Sequence, residues 1–497
     1  MSVPRNKKDQ QPEKSFGVLD KKQNEARVAA KKNKRNRTLG VIGAIVVVFL
    51  VIGSYVVNSN YFYNKATAVS IGDVDYTTAE FNYFYYTVYN NFYNSMGSYA
   101  SYIIDKDKPL DEQYYTDGET FKDYFTESAL NTMLQSTALY NEAVSEGMTL
   151  SDEEKTKIQD ELSSVDVYAS LKDESTEQYL VDMYGKGFNT DTLEKLMNMV
   201  TLASDYYQQK MAGFSYTDDE LKAEYTQNKD DYDIFTYRVY YIANGDDAEA
   251  AYATADAIAE AKDGDEFADL VYENAPEDSK DKYTENESTL YNNAGSSLSS
   301  YDYGDWLKES GRSVNETTVI ESSSGEGYYV VMFLGRDDND YNTINVRHIL
   351  IKVTADDDGN YTQEAKDTAK AEIDEILAEY EAGDKTEESF AALANEKSED
   401  TGSNTNGGLY ENVARNQMVK PFEDFCFAEH EYGDTGIVYY EGSNYAGYHL
   451  IYYVGEGELY CDYIADSNLR STDYNAWQDA ETANYTVVKH FALRFAD

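Results

Sequence analysis

Hydrophobic residues along this 497-residue chain recur with two periods and, in one place, without interruption. Leu39–Val57 is a run of nineteen residues with no charge, rich in Val, Ile and Leu. At 1.5 Å per residue it is long enough to cross the hydrocarbon core of a bilayer and predicts a transmembrane helix. From 58 to 225 the apolar positions follow the helical period. Thr77 or Thr78 is placed to cap a Tyr- and Phe-rich helix starting near Phe81. A second helix is expected from Glu119 to Gly147, with Phe125, Leu130, Met133, Leu139 and Ala143 on one face. Further helices follow the acidic caps at Ser151-Asp152-Glu153 and Thr217-Asp218-Asp219-Glu220, and another spans Thr190–Met211.

After Tyr232 the pattern becomes mixed. Phe235–Ala243 and Gly327–Leu334 are rich in Tyr, Val and Ile and predict strands, with a helix over Asp247–Lys262. The same order then recurs. Ile344–Val353 predicts a strand, and Thr362–Ala382 a helix whose Ala369, Ile373, Ile376 and Tyr380 share a face and which Gly383 ends. Thr386–Lys397 predicts a second helix, Pro421 sits where a short helix can begin, and Gly436–Tyr440 and Gly447–Val454 predict closing strands. A repeat of roughly 110 residues accounts for this, with Arg336–Tyr341 as the linker between copies. In the last segment, Gly457–Asp497, the residues Tyr474, Trp477 and Ala480 fit a helix able to pack back on the N-terminal helical region.

Charge divides the chain sharply. The first 38 residues hold 12 Lys and Arg against 4 Asp and Glu, whereas residues 39–497 hold 30 against 88. The basic cluster Lys31, Lys32, Lys34, Arg35 and Arg37 abuts the apolar run, so the positive-inside rule puts residues 1–38 in the cytoplasm and everything after Val57 outside. A cleaved signal peptide ending near Ala66-Thr67-Ala68 is the competing reading. The formal charge of −50 excludes nucleic acid as a partner, since phosphates demand Lys and Arg. Two cysteines, Cys426 and Cys461, are too few for a disulfide scaffold; Cys426 reads as a buried thiol in the run Phe425–Phe427, with one disulfide as the alternative.

Five blocks in the second repeat carry chemistry. They are Val346-Arg347-His348-Ile349-Leu350-Ile351, Ser398-Glu399-Asp400-Thr401-Gly402-Ser403, Gly407-Gly408-Leu409, Gln417-Met418-Val419-Lys420-Pro421-Phe422-Glu423-Asp424 and Gly447-Tyr448-His449-Leu450-Ile451. In order and spacing they resemble the signature of parvulin-type peptidyl-prolyl cis-trans isomerases, and the helical region resembles the N-terminal chaperone domain of the SurA and PrsA foldases. The resemblance implies an α+β chain of several parts. These are a basic tail (1–38), a transmembrane helix (39–57), a helical SurA-N-like chaperone domain (58–225), a degenerate parvulin-like domain (234–336), a parvulin isomerase domain (343–456) and a C-terminal helical segment (457–497). Each parvulin domain is expected as an antiparallel sheet with flanking helices.

By the same resemblance His348 and His449 form a pair on adjoining central strands, Asp400 takes the polar position beside the amide, and Leu409, Met418 and Phe422 wall the pocket for the proline ring. Neutral imidazoles both donate and accept hydrogen bonds, and a carboxylate among them adds a tunable charge, so the residue types suit the role. Rotation about the bond before proline faces a barrier of about 18–20 kcal/mol and breaks no covalent bond, so neither metal nor cofactor is implied. The implied partners are unfolded or newly translocated polypeptides and the membrane, and a homodimer is allowed.

Plainer readings stand beside these. A histidine in a strand is commonly a satisfied core residue, Asp400 can cap the Thr401-Gly402 turn, and Met418 and Phe422 fit a core. Departures from the family pattern are also present. Gly407-Gly408-Leu409-Tyr410 lacks the usual Asp before Leu, Ala446 is small where larger residues are common and is expected to widen the pocket, and Asp356, Asp357 and Asp358 stand where phosphate-reading relatives are basic. The first repeat has neither histidine and is expected to be inactive. Beside an isomerase and foldase, a non-catalytic holdase with a vestigial site and a structural or adhesive surface protein remain as alternatives.

Overall fold

The computed structural model describes residues 42–51, 53–356 and 359–496, together with 31, 32 and 34. The expected tail lies almost wholly outside these residues, as do 39–41 and 52 of the expected transmembrane helix and two of the three aspartates at 356–358. Residues 42–51 and 53–57 are helical with mostly exposed apolar side chains, Phe49, Leu50 and Val51 among them. Among the described residues no helix is long and apolar enough to cross a membrane.

The chain divides into two compact units, one running to Gly213 and taking in Tyr474–Asp497, the other Phe214–Asp473. The first unit is built on helices Thr78–Met96, Phe121–Ser145, Asp152–Leu171, Thr176–Tyr184 and Thr190–Gly213. Three of these start with reciprocal capping boxes, Thr77 with Glu80, Thr120 with Asp123 and Ser151 with Glu154, which satisfy otherwise orphaned N–H groups. Their inward faces bury Phe81, Phe84, Tyr85, Phe121, Phe125 and Leu196 in one core.

Helices alone do not complete this unit. Strand β1 (Thr67–Ile71) pairs antiparallel with β2 (Val74–Thr77) and with the strand Val487–Lys489, Val69 opposite Lys489. A hairpin of β3 (Tyr114–Thr116) and β4 (Glu119–Thr120) precedes the second helix. The C-terminal segment is therefore not simply helical: Tyr460–Thr482 is a helix, after which the chain returns as an edge strand and a 3₁₀ turn. Tyr474 meets Tyr207, and Trp477 meets Tyr206, through ring contacts within this unit.

The second unit contains the repeat. Strands β5 (Ile234–Ala243), β6 (Leu290–Ala294), β7 (Glu316–Glu321) and β8 (Gly327–Asp337) form one antiparallel sheet in the order β6-β5-β8-β7. Strands β9 (Asn342–Lys352), β10 (Leu409–Val413), β11 (Thr435–Glu441) and β12 (Ala446–Leu459) repeat that topology as β10-β9-β12-β11. Helices Ala248–Ala259 and Gly264–Asn274 in the first copy correspond to Gln363–Ala382 and Glu387–Lys397 in the second.

Each sheet has a core on both faces, as strand alternation dictates. In the second copy Ile349, Ile351, Leu450 and Tyr452 pack on the two long helices, while Ile344, Val346, Ile451 and Tyr453 face the short helix Lys420–Cys426 with Phe422 and Cys426. Both cysteines are free thiols.

The linker between the copies, Arg336–Tyr341, is anchored at two of its residues. Arg336 and Asp337 extend β8, and the Arg336 guanidinium donates from Nε to the fully buried Asp233 at 2.5 Å. Asn339 is fully buried, donating to the Tyr225 hydroxyl at 2.8 Å and the Tyr232 carbonyl at 2.9 Å, while its own carbonyl accepts from the Cys461 N–H. Within this linker Arg336 is half-buried and Asn339 is buried, its Oδ1 without a hydrogen-bond partner, whereas Asp337, Asp338 and Asp340 are exposed. The helix Asp218–Gln227, expected to close the helical region, lies in the second unit and supplies Tyr225 to this junction.

Candidate functional site

His348 on β9 and His449 on β12 lie on neighbouring strands. The register sets His449 opposite Leu350 and His348 opposite Ile451, so the imidazoles are diagonal neighbours on one face. Their rings stack with centroids 5.6 Å apart and planes 18° from parallel, and the two Nδ1 atoms are 3.4 Å apart. Both residues are 4% exposed, which makes hydrogen bonding of every ring nitrogen energetically important.

Asp400, which follows the helix Glu387–Lys397, reaches this pair. Its Oδ2 lies 2.9 Å from His348 Nε2 and accepts from the Ser403 hydroxyl at 2.5 Å and the Tyr410 hydroxyl at 3.1 Å. Its Oδ1 accepts from the Gly402 N–H at 3.4 Å, so the turn-capping reading and the site reading are both met by one side chain. On the far side the Tyr445 hydroxyl lies 3.3 Å from His449 Nε2.

One tautomer assignment gives each contact a single donor. Tyr445 donates to His449 Nε2, His449 Nδ1–H donates to His348 Nδ1, and His348 Nε2–H donates to the Asp400 carboxylate. Both imidazoles are neutral in that chain. Burial, with the neighbouring His348 adding to it, lowers the His449 pKa to about 4. The hydrogen bond from His348 holds the Asp400 carboxyl well below the usual carboxylate range, with Ser403 and Tyr410 acting in the same direction. The Tyr410 hydroxyl is pushed up to about 12 by burial and then by the Asp400 charge, so it stays a donor.

The network floors a cleft of about 380 Å³ whose other walls include Leu350, Met418, Val419 and Phe422. The Phe422 ring stands edge-on to both imidazoles, with centroids 5.4 Å from His348 and 5.5 Å from His449. Local backbone explains how the pieces meet. The Gly408 carbonyl accepts from the His348 N–H at 2.8 Å, and a Cβ at Gly408 would come within 2.2 Å of the His348 carbonyl oxygen. Gly408 also has φ +68°, so the loop can hug β9 only with glycine there. Arg347, on the opposite face, fastens the loop by donating to the Asn406 and Gly407 carbonyls and pairing with Glu387.

Of the residues expected at the site, His348, Asp400, His449, Met418 and Phe422 come together. Leu409 does not: it pairs with Arg347 and so belongs to the other face of the sheet, while Tyr410, opposite Val346, lines the cleft. The missing Asp of the Gly-Gly-Leu block is thus accompanied by a tyrosine that hydrogen-bonds the site carboxylate. Ala446 does not widen the pocket; it is fully buried in the core on the helix-covered face. Sequence reasoning missed Ser403, Tyr410 and Tyr445. The first two were visible as hydroxyls three and ten residues after Asp400, but 49 tyrosines hide any one of them.

Comparison with known proteins follows the same division of the second unit. Residues 328–454 match the family model described as the PPIC-type PPIase domain, and residues 216–334 match a second model of that description. No curated protein matches the chain. Among solved structures, the foldase protein PrsA from Streptococcus pneumoniae is 15% identical, covering 44% of this chain and 77% of its own, with a TM-score of 0.22. The peptidylprolyl isomerase PrsA from Bacillus cereus is 16% identical, covering 76% and 88%, with a TM-score of 0.19. The two family matches cover the two repeated sheets, and residues 216–454 consist of two domains of the parvulin-type (PPIC) peptidyl-prolyl isomerase family.

Proposed function

We propose that the chain is a surface foldase in which residues 343–456 isomerise X-Pro bonds of exported, unfolded polypeptides while the helical unit holds them. The observation that carries this reading is the single directed hydrogen-bond chain from Tyr445 through both histidines to Asp400, set at the floor of an apolar cleft.

Twisting the amide removes its resonance and gives the nitrogen lone-pair character. A cleft that seats the proline ring against Met418, Val419 and Phe422, and presents fixed dipoles to the altered amide, binds the twisted state better than either planar state. His348, His449 and Asp400 are assigned as catalytic residues, with Tyr410 and Ser403 positioning the carboxylate. Every ring nitrogen has a partner, so the dipoles need no reorganisation during the rotation. Each 1.36 kcal/mol of differential binding gives about a tenfold rate gain over the slow uncatalysed reaction.

The membrane part of the reading, a single-pass anchor with residues 1–38 cytoplasmic and the acidic bulk outside, is supported by the apolar run Leu39–Val57 beside the basic cluster. The SurA-N-like chaperone role of the helical unit rests on its resemblance and on a groove of about 470 Å³ lined by Tyr83, Val165, Leu180, Met183, Leu193 and Met197. Exchange spectroscopy on an X-Pro peptide tests the enzymatic part. His449→Ala is expected to lose the acceleration, and equal rates for the unaltered chain and this variant would leave only the holdase. Suppression of aggregation of an unfolded client by the full-length chain tests the holding part, and protease accessibility in intact cells tests the orientation.

A further inference from the structure

The first PPIC-type copy keeps a cleft where the second has its active site. The registers correspond residue by residue: Tyr241 faces Tyr329 as Leu350 faces His449, and Val239 faces Val331 as His348 faces Ile451. Val239 and Tyr329 therefore stand in the places of the two histidines. Arg238 repeats Arg347, donating to the Asn286 carbonyl and to Thr289 Oγ1 and so tying down its loop from the opposite face.

At this position lies a cleft of about 340 Å³ lined by eight tyrosines. Tyr329 is the hub, with ring centroids 4.9 Å from Tyr241 and 5.3 Å from Tyr303. Tyr301 stacks on Tyr303 at 5.1 Å, and Tyr237 stacks on Tyr291 at 5.7 Å. Tyr237 and Tyr303 are buried, whereas Tyr241, Tyr291 and Tyr301 are 40%, 44% and 47% exposed, so a floor and a rim are both aromatic. Only Val239 and Ser288 interrupt the tyrosine lining, and no Lys, Arg, His or carboxylate is among its residues.

Charge then selects the occupant. A tyrosine face attracts a cation through its quadrupole and a tyrosine oxygen accepts from an ammonium or guanidinium. Residues 234–337 carry 22 Asp and Glu against 7 Lys and Arg. Asp302 sits between Tyr301 and Tyr303 in sequence, and its charge, after burial, helps to raise the Tyr329 pKa. We infer that the tyrosine cleft of residues 234–337 is a binding site for a cationic side chain, arginine above all, of an extended polypeptide. It holds the segment without isomerising it, because the histidine pair is absent. The inference goes beyond the isomerase reading and does not depend on turnover in the second copy.

The test titrates the full-length chain, by fluorescence anisotropy, with a proline-free extended peptide carrying one Arg. The same peptide with citrulline, and with Pro, in place of the Arg supplies the comparisons. The Arg peptide is expected to bind about tenfold more tightly than either. The pair Tyr241→Leu/Tyr329→Leu is expected to abolish that difference, and Tyr241→Phe/Tyr329→Phe to retain it, with net charge the same throughout. His449→Ala is expected to leave Arg-peptide binding unchanged while removing X-Pro turnover, which separates a failure of this inference from a failure of the isomerase reading. Equal binding of Arg and citrulline peptides, a preference for Pro, or undiminished Arg binding by the folded leucine variant overturns the inference. Should the leucine variant not fold, a photoreactive Arg peptide is crosslinked to the unaltered chain. Crosslinks confined to 237–241, 283–303 and 329 support the site, and crosslinks scattered over the acidic surface overturn it.

Discussion

Replacing Asp400 by alanine strips one acceptor from three buried or half-buried donors, His348 Nε2, Ser403 Oγ and Tyr410 OH. A hydrogen bond to a charged group contributes about 1.5–3 kcal/mol, and a buried donor left without a partner costs about 1–3 kcal/mol. Tyr410 is half-buried and can turn to water, so its loss is small; His348 and Ser403 are 4% and 1% exposed and cannot, and although Ser403 Oγ, 3.2 Å from His348 Nε2, can accept from it, the Ser403 hydroxyl proton is left without an acceptor. The expected destabilisation is about 3–5 kcal/mol. Asp400→Asn is the sharper perturbation. Its amide oxygen still accepts from His348, so about half of the stability returns, but the carboxylate that polarises the histidine chain is gone. Stability is read by chemical denaturation and activity by exchange spectroscopy on an X-Pro peptide. Asp400→Asn is expected to lose at least about tenfold in kcat/KM, equivalent to about 1.4 kcal/mol of transition-state binding. Full-speed turnover by a folded Asp400→Asn chain would refute the role given to the carboxylate.

Three further outcomes are expected. His449 has a folded pKa of about 4 against an ordinary 6.5, so between those values the unfolded chain binds the extra proton; stability is full above pH 6.5 and falls by about 3 kcal/mol as pH drops to 4, a slope that denaturation curves should show and His449→Gln should flatten. Gly408→Ala, at φ +68° and against the His348 carbonyl, is expected to cost at least about 3 kcal/mol in the same measurement, whereas Gly245→Ala, at φ +53° with open space around it, should cost only about 1. Phe422→Leu keeps an apolar side chain at a 2% exposed position, so stability should change by less than about 2 kcal/mol while KM for an X-Pro peptide rises several-fold, a split that steady-state kinetics resolves.

Strands β5, β8, β9, β11 and β12 were legible because they carry β-branched and aromatic runs broken by glycines, and because the order of elements recurs, whereas the short strands β6, β7 and β10 were not expected. The strands of the first unit were not. Thr67–Ile71 is five residues long and takes its partner Val487–Lys489 from the far end of the chain, and no local pattern announces a pairing across more than 400 residues. At the site, His348, His449 and Asp400 were legible from motif order, whereas Leu409 was misplaced by one position on a strand. A one-residue step exchanges the faces of a sheet, and only the register with β9 shows that Tyr410 holds the inward place. The contacts of Arg336 and Asn339 were hidden for a different reason. Polar residues between two modules look solvated in sequence, and their burial depends on Tyr225 and Asp233, which lie more than 100 residues earlier.

Why one copy can lack the histidines and keep the fold follows from the same alternation. In both sheets the residues that pack on the two long helices lie on one face: Ile349, Ile351, Leu450 and Tyr452 in the second copy, Tyr240, Val330 and Met332 in the first. The histidine pair lies on the other face, which is closed only in part and opens into the cleft. Substitution there removes chemistry while the helix-covered core keeps its full area from water. Val239 and Tyr329 are therefore no evidence of decay in the first sheet, whose ten-residue pairing between β5 and β8 is as extensive as that between β9 and β12. One framework thus carries a histidine pair in one sheet and a tyrosine surface in the other.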